Sequence, residues 1–522
     1  MKMIRNTSVL SVSLLAVLVA GAAIALVQRA RRVSEPQRTG SILRLDRNGD
    51  LQDAIDQAQP GDTIVLEAGA VYTGPITLPV KSGSDFITIQ SSRVSDLREG
   101  VRVSPSQSAL FAKVQSSTNG EPIVKTKPGA HHYKFVGIEF STSDAKVKVY
   151  DLIRLGDDRS QSTIQSVPRH LIIDRSYIHG FKTQEVQRGI ALNSAETEIL
   201  NSYISEIHGK GYDTQAICGW NGPGPFKIND NYLEGSGENV MFGGALPTIP
   251  NLTITGIEFR RNHVVKPLSW RGVWTVKNLF ELKNARNVIV DENIFDGNWT
   301  DAQAGRAIVF TPRPSDSGHG AVVEDVIFSN NIVRNVGSGV LLLGIDEPPA
   351  PTDVRLRRVK VINNVFEIDG PRFGSNGVFL TIINGTENVT VEHNTAIQTG
   401  NIISTDYAAN TGFIYRNNIT RHNEYGIFGS GRGIGKTSIA QYFPGSIITG
   451  NVMAKEVNAP SNAESLYPVG NFFPESMRAI GFVDYERGNY RLRPDSRFHA
   501  ADGGANPGAN LDKLPRFSVD KQ

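Results

Sequence analysis

Leu279 to Trp299 reads LFELKNARNVIVDENIFDGNW. Its middle, Val288-Ile289-Val290-Asp291-Glu292-Asn293-Ile294-Phe295, is a short alternating strand, an Asn and an apolar pair. The unit recurs along most of the chain. Aligned on Asn293, it returns at Ser176, Ser202, Asn231, Asn262, Asn331, Asn364, Asn394, Asn418 and Asn451. The spacing runs from 24 residues (Asn394 to Asn418) to 38 (Asn293 to Asn331). Such a period marks a stacked-repeat architecture. Each copy alternates with period two, is rich in Val, Ile and Phe, and lacks helical spacing. Asn tolerates the left-handed conformation of a sharp bend, and stacked Asn side chains hydrogen-bond along a ladder. Short strands rising about 4.8 Å per turn and bending at an Asn predict an all-β chain, a single right-handed parallel β-helix. A leucine-rich repeat needs leucines at fixed spacings that are missing here, and a propeller needs a blade signature over a longer repeat.

The chain has 522 residues, 39% apolar and 20% charged, with a formal charge of +2. A solenoid grows by adding turns, so one elongated domain is expected despite the length. The near-neutral balance gives no argument for nucleic acid. Cys218 is the sole cysteine, so no intrachain disulfide forms and the fold must rest on packing and ladders. A monomer is the expected state.

The expected organisation has four parts. Residues 1–33 are a signal peptide or membrane anchor: Lys2 and Arg5 precede an apolar run from Val9 to Val27, followed by Arg29, Arg31 and Arg32. Either form exports the protein, to the cell envelope or beyond it, with membrane contact only through this segment. Residues 34–48 are a linker, 49–457 the β-helix, and 458–522 a tail on its outside. Within the coil, Asp50 to Ala58 reads as a short helix with Asp50 as N-cap and Leu51, Ala54, Ile55 and Ala58 on one face. It is expected to cap the open first turn. The stretch Ala54-Ile55 through Pro60-Gly61-Asp62-Thr63-Ile64 to Leu66 and Gly69 resembles the opening of bacterial pectin-lyase-fold proteins.

Bulky insertions lie at Gly209–Phe226, Gly243–Asn251, Lys266–Asn278, Asn298–Val322 and Gly344–Asp353. Insertions in a solenoid gather on its binding face. All four tryptophans, Trp220, Trp270, Trp274 and Trp299, fall in or beside them. Flat rings there suit the apolar faces of sugars, or else pack the loops onto the coil. Asp213, Glu238, Glu281, Asp301, Lys277, Lys283, Arg306 and Arg313 surround them.

Two chemistries use such a set. In β-elimination from a uronate, cationic groups or a metal neutralise the substrate carboxylate, and a Lys or Arg of lowered pKa removes the neighbouring proton. In hydrolysis two carboxylates flank the bond. Lys277, Lys283 and Arg306 are the expected catalytic cations, Arg313 and the tryptophans the substrate contacts, and Glu238 and Glu281 the oxygen ligands to Ca2+. Alternation places Lys277, Leu279, Glu281 and Lys283 on one face and turns Phe280 and Leu282 into the core. Taken singly, each charge is more simply a solvated residue or a ladder pair between turns.

Ser430-Gly431-Arg432-Gly433-Ile434-Gly435-Lys436-Thr437 has the look of a phosphate loop, but it begins with Ser and is expected in a repeat turn.

Residues 50–510 as a whole resemble the bacterial right-handed parallel β-helix proteins of the pectin-lyase-like superfamily, which includes pectate, alginate and chondroitin lyases and polygalacturonases. The Asn-Thr-Asp and Arg-Ile-Lys of polygalacturonases do not occur. Glu281-Leu282-Lys283 loosely parallels the Glu-rich strand and Lys of chondroitin and alginate lyases. The resemblance implies a polysaccharide partner and a lyase-like activity on acidic glycans. The alternatives are a glycoside hydrolase and a non-catalytic glycan-binding or structural solenoid of the envelope.

Overall fold

A computed structural model describes residues 40–313, 320–346, 354–500 and 506–515. The expected signal or anchor segment, 1–33, lies outside the described residues. From Ile42 onward the chain winds as a parallel β-helix. Among the described residues, three parallel sheets hold 14, 13 and 12 strands, and each strand pairs mainly with strands about three further along the chain. One turn therefore contributes a strand to each sheet. In the first sheet Val288 pairs with Ile257 and Val326, so like residues stack on like at every step.

The ladder residues hold the corner between the first and second sheets. Asn293 donates from Nδ2 to Phe259 O (2.9 Å) and Asn331 Oδ1 (3.0 Å), and its own Oδ1 accepts the backbone N–H of Asn262 (2.9 Å). The same pattern links Asn231, Asn262, Asn293, Asn331, Asn364, Asn394, Asn418 and Asn451, and continues to Asn471. Ser202 and Ser176 take the first places with their hydroxyls. The left-handed conformation falls one residue earlier than expected, at Arg175, Asn201, Asp230, Arg261, Glu292, Asn330, Asn363, His393, Asn417 and Gly450 (φ from 46° to 68°). The bend and the hydrogen bond are thus divided between neighbours. The ladder residue supplies the bond, and the strained residue before it is varied because the ladder on either side over-determines its backbone.

Inside, the turns stack their apolar residues into one core, with Phe259, Phe295, Phe328 and Phe366 in near-parallel succession. A helix spans Leu51–Gln57; Asp50 accepts the Asp53 N–H at 3.0 Å, and Leu51 and Ile55 are buried in the same core. Near the other end, strand Ile427–Gly429 leads through Ser430–Gly435 into helix Lys436–Tyr442. The phosphate-loop-like stretch is therefore not a plain repeat turn. Lys436 Nζ donates to Ser465 O (3.0 Å), and Ile439 and Tyr442 join the core. In the tail, Phe482–Asp484 and Asn489–Leu492 pair antiparallel, and Met477, Phe482, Tyr490 and Phe498 cluster with Ile332, Val365, Ile419 and Val452.

Candidate functional site

The insertions border one sheet. Residues 206–214, 266–277 and 299–305 precede strands of the third sheet, and 220–225, 243–253 and 320–322 follow them. The outer face of that sheet is the floor between two rows of loops. Its register sets Glu238 opposite Asn278, and Met241 opposite Glu281, on adjacent turns. Val240, Phe242, Phe280 and Leu282 enter the core, which leaves Glu238, Asn278 and Glu281 on the outer face. Leu279 corrects the alternation: it is fully buried in the core beside Phe280. Two consecutive inward residues mark a bend in the chain as it enters this sheet.

Both carboxylates are 1% exposed. Glu238 accepts from Gln215 Nε2 at 2.8 Å and pairs with Lys277 Nζ at 3.2 Å. Glu281 accepts from Asn278 Nδ2 at 2.8 Å and pairs with Lys283 Nζ at 2.7 Å. Lys277 also pairs with Asp213, and Lys283 reaches Thr311 Oγ1 at 3.4 Å. Burial pushes the Glu238 carboxyl up from its ordinary value, with Glu281 and Asp213 adding to the effect and Lys277 opposing it. For Lys277 burial acts downward, but Glu238 and Asp213 outweigh it and hold the ammonium above the usual lysine value.

Arg306 lies one turn further on. The Phe280–Ile308 pairing places it opposite Asn278, and it pairs onward with Ser338. Burial lowers its pKa, and its guanidinium has no ion-pair partner among the described residues. Arg313 stands to the side, 3.7 Å from Asp346, with its backbone N–H on Lys283 O (3.1 Å). Asp301 has a structural task, accepting the Val276 N–H at 2.8 Å.

The tryptophans divide. Trp299 and Trp270, 1% and 6% exposed, pack with Val276 and Phe373. These two hold loops to the coil and offer no face to a sugar, which corrects the expectation for them. Trp274 stacks on His208 at 4.0 Å with Lys210 over its ring. Trp220, 9% exposed, is buried as well: it packs with Ala191, Cys218 and Met241 under the Arg188 guanidinium at 4.7 Å, which leaves Trp274 as the half-exposed ring of the four.

Three groups escaped the sequence. Gln215 Oε1 and Asn278 Oδ1 are buried without a hydrogen-bond partner among the described residues, although each belongs to an amide that holds a site carboxylate. Lys266, 1% exposed, donates to Gly235 O (2.7 Å), Gly237 O (2.8 Å) and Asn239 Oδ1 (2.5 Å). Burial draws its pKa well below the lysine value, while three fixed oxygen acceptors suit the three donors of an ammonium. Third-sheet register could have found Gln215 and Asn278; alignment on the ladder Asn fixes only the corner before it.

Among the described residues no three His, Cys, Asp or Glu side chains gather as a metal cluster. Calcium also accepts amide oxygens. Here, however, both oxygens of each buried carboxylate are already engaged, one by an amide N–H and the other by a lysine, so the four groups do not make an open cation site.

No family model matches the sequence, and no curated protein matches it. Solved structures do. A PL6 family alginate lyase, AlyGC, superposes with a TM-score of 0.55 and 14% identity over 92% of this chain and 58% of that one. This chain is a right-handed parallel β-helix protein. A GH87 α-1,3-glucanase from Streptomyces thermodiastaticus strain HF3-3 gives a TM-score of 0.49 and 14% identity, covering 82% of the β-helix protein and 70% of the glucanase. The chain thus spans less than two thirds of the length of the alginate lyase that it matches.

Proposed function

We infer that this β-helix acts on an acidic polysaccharide by β-elimination, at the third-sheet face around Glu238 and Glu281. The observation that carries the reading is the pair of buried carboxylates, each clamped between an amide and a lysine, with Arg306, which has no ion-pair partner among the described residues, one turn further on. A carboxylate clamp of this kind is costly to bury, and such cost is usually met where charge must be placed against a substrate.

Arg306 receives the substrate carboxylate, which makes the adjacent C–H more acidic. Lys283, between Glu281 and the Thr311 hydroxyl, is the group placed to take that proton. The electron pair closes a C=C bond and expels the glycosidic oxygen. Lys277, held as an ammonium by Glu238 and Asp213, returns a proton to that leaving oxygen. The raised pKa of Glu238 beside a second carboxylate favours one alternative, hydrolysis with Glu238 as general acid.

The apolar run Val9–Val27 between basic residues supports export, and Leu51–Gln57 is proposed to close the first turn. Among the described residues no helix is long and apolar enough to cross a membrane. The test incubates residues 34–522 with acidic and neutral polysaccharides, with calcium and with chelator. Unsaturated product supports elimination; new reducing ends without unsaturation transfer the site to hydrolysis; binding without product leaves a glycan-binding solenoid.

A further inference from the structure

We propose that Lys266 is the positioning residue of this site: its buried ammonium fixes the corner from which Glu238, Lys277 and Asn278 are hung. The inference rests on the reading of the Glu238–Glu281 face as the place of reaction. Residues 235–237 turn the chain from strand Tyr232–Glu234 into strand Glu238–Phe242. Their sequence, Gly235-Ser236-Gly237, has little side chain with which to hold itself. A Cβ at Gly235 would come within 2.9 Å of Ala216 N, and one at Gly237 within 2.6 Å of Thr214 N, so the corner is pressed against the preceding turn. Thr214 Oγ1 ties it on that side, accepting the Gly237 N–H at 2.8 Å and meeting Ser236 Oγ at 2.9 Å.

Lys266 ties it on the other side. It follows strand His263–Val265 one turn further on, at the register position that Gly235 and Gly297 hold in the neighbouring turns. Its buried ammonium donates to Gly235 O, Gly237 O and Asn239 Oδ1, while Asn239 Nδ2 donates back to Val265 O at 2.7 Å. A neutral amine has two N–H donors and would turn its lone pair on one of those oxygens, so the set fits the charged form. Gly237 O also accepts the backbone N–H groups of Lys277 and Asn278, both at 3.2 Å. One oxygen thus governs both strands of the site. Glu238 follows it directly in the chain, and the start of the strand that bears Asn278 and Glu281 hangs from it. Burying an ammonium is costly, and a corner that needed hydrogen bonds alone could be filled by a neutral amide. Glu238 is the charge that opposes the effect of burial on Lys266. The cation under the corner therefore serves the carboxylate that leaves it.

The experiment is a double-mutant cycle on the 34–522 protein: wild type, Lys266→Met, Glu238→Gln and the two together. Each is melted at neutral pH and assayed on acidic glycans. Glu238→Gln should raise Tm by about 1–3 °C more in the Lys266→Met background than in wild type, because the carboxylate there has lost the charge beneath it. The kcat of Lys266→Met should fall about tenfold or more while KM stays near the wild-type value, since Arg306 is untouched. Should Lys266→Met fail to fold, Lys266→Gln, which keeps two N–H donors at the corner, replaces it in the cycle. An equal gain from Glu238→Gln in both backgrounds overturns the positioning role, and so does an undiminished kcat. A larger gain with no unsaturated product from any of the four proteins keeps the positioning of Glu238 and removes the elimination reading.

Discussion

Glu238 and Glu281 stand on adjacent turns in the same arrangement: each buried carboxylate takes an amide N–H on one oxygen and a lysine on the other. The two clamps differ in what their lysines touch next. Lys277 has a second acid, Asp213, and Lys283 has the Thr311 hydroxyl. Lys283→Met should therefore lower turnover by about a hundredfold or more, as loss of a proton acceptor does. Lys283→Met retaining full turnover, measured as unsaturated product, would remove the base from this position.

The raised Glu238 carboxyl makes a pH prediction. The folded state binds this proton more tightly than the unfolded chain does, so the contribution to stability is fully present below the ordinary value of 4.5 and lost as pH rises through the folded value. Glu238→Gln mimics the protonated form. Its Tm should match wild type in acid and exceed it towards neutral pH, where Lys277 still has Asp213. A constant Tm difference across the range would contradict the shift.

Arg306 has no ion-pair partner among the described residues, so Arg306→Gln should leave the melting temperature nearly unchanged. Its kcat/KM on acidic glycans should fall about ten- to a hundredfold, the worth of a charge-assisted hydrogen bond. Equal loss on a neutral glycan would show that the residue does not read charge.

Two tryptophans offer a paired test. Trp299→Ala should cost about 3–5 kcal/mol of stability, because it opens a cavity under a buried ring, with KM unaffected. Trp274→Ala, at a half-buried ring, should instead raise KM with a smaller effect on melting. Denaturant unfolding and steady-state kinetics on both variants distinguish the roles.

Asn293→Ala removes donors from Phe259 O and Asn331 Oδ1 and orphans the buried Asn262 N–H. The expected cost is about 3 kcal/mol, from unmet buried polar groups. Asn293→Ser should cost less, because Ser202 already accepts its neighbour's N–H in the same ladder. Identical unfolding midpoints for Ala and Ser would refute that division.

The coil was legible because its signal is local and repeated: a period-two strand followed by a hydrogen-bonding residue, ten times over. The residues that make the face were partly legible. Glu238, Glu281, Lys277 and Lys283 stood out as charges among insertions, and the register brings them together. Gln215 did not, because a neutral amide in a short strand carries no mark until the sheet sets it beside Glu238. Trp270 and Trp299 misled for the opposite reason: a large ring in an inserted loop reads the same whether it faces sugar or Phe373. Leu279 was assigned to the wrong face because strict alternation fails where a strand enters through a bend.

The Asn ladder has a consequence for how this molecule can change length. Ladder neighbours are as few as 20 chain positions apart, at Asn451–Asn471, and as many as 38, at Asn293–Asn331, yet the bond between them is the same. The chain's size is therefore quantised in turns and indifferent to what each loop contains. Excising residues 364–393 would bring Asn394 to the place of Asn364 below Asn331, with no mismatch in the seam. Such a protein should keep a continuous ladder one step shorter, at the cost of Phe373 against Trp270 and Trp299 and of Val365 under the tail, whereas removing half a turn should break the ladder itself.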